Sequence, residues 1–82
     1  IRLYIMTKIT GMQIRMARTA LKWRVDDLSK ETGVGWARIQ NMEKSNDKID
    51  NEQINAIKET LQNKGIEFLE EEGFLPFIKI KK

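Results

Sequence analysis

Gln40, Asn41 and Lys44 stand close together in the stretch "GVGWARIQNMEK", residues 33 to 44, with Trp36 one helical turn ahead of Gln40. A Gln or Asn amide carries a donor and an acceptor side by side and can bond an adenine edge at two points, and a Lys can reach a phosphate or a guanine edge. At about 100° per residue, Trp36, Ala37, Gln40, Asn41 and Lys44 fall on one side of a helix, and Ile39, Met42 and Glu43 on the other. The polar face has the chemistry to recognise a nucleic acid. The same face would also be expected of a helix that is simply solvated.

The rest of the composition narrows the chemistry further. The 82 residues contain no Cys and no His, which removes thiolate nucleophiles, imidazole bases, disulfides and the usual zinc ligands. A site made only of carboxylates would need converging Asp and Glu, but Glu70, Glu71 and Glu72 form a block of the kind that is normally solvated. No catalysis, no metal, no cofactor and no small-molecule substrate are expected. A net charge of +3 and a pI of about 9.3 lean weakly toward a polyanionic partner. No apolar run approaches a membrane span, and residues 1–6 are too short for a secretory h-region, so no membrane partner and a soluble, cytoplasmic chain are expected.

The recognition face needs elements to hold it. Thr10 and Gln13 have the form of a capping box, and Ile14, Ala17 and Leu21 follow at helical spacing, predicting a first helix over residues 11–22. Asp26 and Asp27 suit a helix N-terminus and Gly33 its end, predicting a second over 25–32. Gly35 opens a third that ends near Lys44. Asp50 and Gln53 repeat the cap signature before Ile54, Ile57 and Leu61, predicting a fourth over 51–64, stopped by Gly65. The C-terminal segment alternates Ile66/Phe68 and Ile78/Ile80 around an acidic turn with Gly73, which reads as a β-hairpin, with Pro76 confining the second strand to an edge or delaying its start. Trp23 is expected to pack under the turn after the first helix. The hairpin aromatics Phe68, Phe74 and Phe77 suit a core or an interface.

The run "DLSKETGVGWARIQNME", with Leu28, small Ser29, Gly33, Val34, Ile39, Met42 and Glu43 in that order between two flanking helices, resembles the helix-turn-helix family of phage repressors and xenobiotic-response-element-like bacterial regulators. The resemblance covers about residues 10 to 64. It implies a mainly α, four-helix repressor-like domain, here with a C-terminal β-hairpin, that binds double-stranded DNA as a sequence-specific transcriptional regulator on the nucleoid. It assigns the third helix to the major groove, with Trp36, Ala37, Gln40 and Asn41 facing bases and Arg38 and Lys44 facing the backbone. Arg15, Lys22 and Arg24 could line the edge that meets the phosphates. The chain departs from the family pattern at Val25, where a phosphate-binding Gln is frequent, and at Arg24 and Gly35, which replace hydroxyl caps. The resemblance also implies that Arg18, at the margin of the first helix's apolar stripe, pairs with Glu43 as an architectural tie.

Three divisions follow: residues 1–9 as an N-terminal arm or added strand, 10–64 as the DNA-binding domain, and 65–82 as a hairpin that could make a homodimer. Met6 could be the natural start, and Ile1, Leu3 and Ile5 alternate as an added strand would. Two rival readings accompany the regulator. One is a protein-interaction module of the same fold, such as an antitoxin or regulator subunit, with Trp36 covering a partner; the other is a carboxylate-metal hydrolase. Trp36 itself could contact a thymine methyl or a sugar edge, or else belong to the core.

Overall fold

The computed structural model describes residues 3–82. The chain runs β1 (Leu3–Ile5), α1 (Gly11–Ala20), α2 (Val25–Thr32), α3 (Trp36–Glu43), α4 (Glu52–Asn63), β2 (Ile66–Glu71) and β3 (Phe77–Ile80). Four helices and a three-stranded antiparallel sheet make a mixed α/β fold rather than the mainly helical one expected.

Each helix has a local reason for its limits. The Thr10 hydroxyl accepts from Gln13 N at 3.1 Å and the Gln13 side-chain oxygen Oε1 accepts from Thr10 N at 2.9 Å, so α1 opens on a full capping box. It ends two residues before the expected limit because Lys22 adopts a φ of 60°, a left-handed conformation that ends the helical run. Arg24 caps α2 through its backbone, its N–H donating to the Asp27 carboxylate at 2.8 Å. Gly33, at φ 76°, closes α2 in the left-handed conformation that glycine adopts without strain. α4 is capped by Asn51, whose side-chain oxygen accepts from Ile54 N at 2.8 Å, and not by Asp50. Asp50 instead faces Lys8 at 3.3 Å.

The expected hairpin is present, and β1 extends it. The strand order is β1-β2-β3, with Ile5 opposite Leu69 and Leu69 opposite Phe77. The expectation of an added strand therefore holds over residues 3–5, and its first position, Ile1, lies outside the described residues. β3 begins directly after Pro76, as the missing N–H of proline requires.

One apolar core joins all these pieces. Ile14 and Ala17 of α1, Leu28 of α2, Ile39 and Met42 of α3, and Ile54, Ile57 and Leu61 of α4 are buried together with Ile66 and Phe68 of β2 and with Met6 and Ile9 of the arm. The arm and the hairpin thus share a core with the helices. Gln13 ties α1 to the sheet from within: its buried amide nitrogen donates to the Phe77 carbonyl at 2.9 Å. Gly11 allows α1 to touch the end of α3, since a Cβ there would lie 1.5 Å from the Met42 carbonyl oxygen. No helix is long and apolar enough to cross a membrane.

Candidate nucleic-acid interface

α2 and α3 are joined by residues 33 to 35, and the turn is fixed by side chains as well as by Gly33. The Ser29 hydroxyl donates to the Val34 carbonyl at 2.6 Å, and Thr32 Oγ1 accepts from Val34 N at 3.2 Å. Buried Val34 then pins the turn to the core. These contacts set where α3 begins and which way it is rotated.

The rotation matches the expected division of faces. Ile39 and Met42 are buried, and Trp36, Ala37, Arg38, Gln40, Asn41 and Lys44 are exposed. Trp36 is 55 % exposed, so it is no part of the core. Arg38 donates from Nε to the side-chain oxygen of Gln53 on α4, a partner that sequence spacing gave no means of finding. Lys44 follows α3 as its C-cap residue, where a cation faces the negative end of the helix dipole.

The inner face of α3 is anchored by an ion pair. Arg18 Nε donates to Glu43 Oε2 at 2.8 Å and Nη2 to Oε1 at 2.9 Å, and the remaining Nη1 donates to the Trp23 carbonyl at 3.0 Å. Only 13 % and 8 % of the two side chains' surfaces are exposed. The hydrogen bond to Glu43 raises the Arg18 pKa against the opposing effect of burial, so the guanidinium stays charged. Trp23, half-buried against the core under this pair, carries Lys64 Nζ 5.7 Å from its ring centroid.

The remaining cations are less organised. Arg15, Lys22 and Arg24 are each exposed, and their side chains make no ion pair among the described residues. Arg24 contributes to a cleft that sequence reading did not find. Arg24, Val25, Asp26, Trp36 and Gln40 line an open depression of about 370 Å³ between the starts of α2 and α3. The signal for it was present in the departure at Val25, an apolar residue set beside the first turn of α2. Among the described residues no three acidic side chains converge as a metal site would require. A second, larger groove of about 650 Å³ lies between Met12 and Met16 of α1 and the hairpin turn at Phe74, Leu75 and Pro76.

No protein-family model matches the chain, and no curated protein sequence matches it either.

Proposed function

We propose that the chain is a repressor-like helix-turn-helix protein that binds double-stranded DNA sequence-specifically as a transcriptional regulator, working as a homodimer on the nucleoid in the cytoplasm. α3 is the recognition helix. The observation that carries the reading is the division of α3 itself. One side is clamped by Ile39, Met42 and the Arg18–Glu43 pair, and the other presents Trp36, Ala37, Gln40 and Asn41 to solvent. A reading element must be rigid on one side and chemically free on the other, because hydrogen bonds discriminate between bases only when their donors are held in register. Gln40 and Asn41 suit adenine edges, and Arg38 and Lys44 suit phosphates.

A selection from random duplexes at two salt concentrations tests this. Enrichment of one motif, with affinity falling as salt rises, is the expected result. Gln40→Ala or Asn41→Ala should then cost about 1–3 kcal/mol on the selected motif and relax one base pair, whereas Arg38→Ala should weaken selected and random duplexes alike. Equal losses for both kinds of variant on both kinds of DNA would remove the assignment of base-facing and backbone-facing residues.

A second reading has an observation in its favour. Trp36 at 55 % exposure, and Phe74 and Leu75 at 68 % and 74 %, are the kind of apolar surface that partner proteins cover. Absence of duplex binding at low salt would favour an antitoxin-like or regulator-subunit role for the same fold.

A further inference from the structure

We infer that the cleft between α2 and α3 reads an A·T pair, with the thymine methyl seated against Trp36 and Val25. The inference rests on the DNA-binding reading and names what its recognition site selects. The five residues around the cleft differ in kind, and their chemistry excludes most of what DNA could place there. Asp26 is exposed and takes part in no ion pair among the described residues, so its free carboxylate repels a phosphate. The cleft therefore faces base edges, and Arg24 at its border is left for the sugar-phosphate strand.

Among base edges the same argument selects again. Guanine shows two acceptors, N7 and O6, in the major groove, and a carboxylate beside them is unfavourable; cytosine would offer its 4-amino donor to the carboxylate but no methyl to the apolar wall. Adenine offers a 6-amino donor beside an N7 acceptor, which the Gln40 amide can bond at two points and which a carboxylate tolerates. Its partner thymine carries a 5-methyl group. The half-buried Val25 and the exposed indole of Trp36 supply apolar surface in the same depression as the amide. A methyl there is removed from water on the side where a cytosine would leave the indole uncovered. The valine that could not donate to a phosphate is thus suited to a base.

The test uses the full chain and the motif from the duplex selection, replacing each thymine in turn by deoxyuridine, which differs only in lacking the methyl. One thymine per half-site should be sensitive, with Kd raised about fourfold, the worth of one buried methyl. Trp36→Ala should bring the thymine-to-uracil ratio at that position to about one. Because the Trp36 side chain is exposed, thermal melting should show the variant folded. Duplex binding with no sensitive thymine, or with the sensitivity intact in Trp36→Ala, overturns the inference and leaves the DNA-binding reading standing. Failure to bind any duplex overturns both.

Discussion

Arg18 and Glu43 are the residues on which the orientation of α3 depends most directly. Both oxygens of the carboxylate accept from the guanidinium, and the third guanidinium nitrogen is bonded to a backbone carbonyl, so neither charge retains unmet bonding capacity toward its partner. Removing one member leaves the other charge nearly buried, and that stranded charge costs more than the pair contributes. Arg18→Ala is expected to lower stability by about 3 kcal/mol, and Arg18→Met with Glu43→Leu by less than the two single changes added. Denaturant unfolding of the wild type, the three single variants and the double variant measures this. Additive losses would show the two residues to be energetically independent. The pH dependence has a definite sign. The folded-state pKa of Arg18 is raised above its unfolded value, so its contribution is complete below the unfolded value and is lost only as pH climbs through the folded one. Across the neutral range the guanidinium should contribute no slope to stability. The pair was legible in the sequence only through the family resemblance, because a separation of 25 residues carries no periodic signal.

At the scale of elements, helices were easier to read than their contacts. Caps and apolar spacing are local, so Thr10, Gln13, Gly33 and Gly65 placed helix limits within two residues of those observed. Lys22 shows where local reading stops: nothing in its side chain announces a left-handed residue, yet its N–H donates to the Thr19 carbonyl and the Trp23 N–H to the Arg18 carbonyl, each at 2.9 Å, closing α1 in the way a glycine usually does. Gln13 is similar. Its role in the capping box was visible, but its bond to the Phe77 carbonyl, 64 residues away, was not. Gly11 makes the dependence on tertiary contact testable. Its added Cβ would overlap the Met42 carbonyl, and the neighbouring Met12 N–H donates to the Ser45 carbonyl at 3.0 Å, so α1 cannot back away from α3 without losing that bond. Gly11→Ala would be mildly favourable in an isolated helix. In this fold it should cost about 3 kcal/mol, at the upper end of the range for overpacking. Thermal melting decides between the two. A Tm equal to or above wild type would show that the contact yields more easily than the geometry implies.

For the whole molecule, the sheet changes how a homodimer could form. A hairpin alone would offer two open edges, but β1 covers one side of β2, leaving the outer edges of β1 and β3. Two-fold antiparallel pairing sets residues opposite each other in symmetric registers, and like charges placed opposite are unfavourable. On β3 a register centred on Lys79 puts Lys79 against its own copy, and one centred on Ile80 puts Lys79 against Lys81. Gln13 also holds the Phe77 carbonyl, and lysines on an edge are a common protection against pairing. On β1 a register centred on Tyr4 sets Leu3 against Ile5, with no charge among the three, and all three are exposed, Ile5 at 75 %. A homodimer formed by sheet extension should therefore join through β1. Ile5→Lys tests this without touching the core or either face of α3. Sedimentation at tens of micromolar should find a dimer for the wild-type chain, a monomer for Ile5→Lys, and a dimer still for Lys79→Ala. A truncation after Lys64 would not be informative, because Ile66 and Phe68 belong to the core shared with α4. A dimer that survives Ile5→Lys and is lost on changing Phe74 and Leu75 would instead place the contact at the groove beside the hairpin turn.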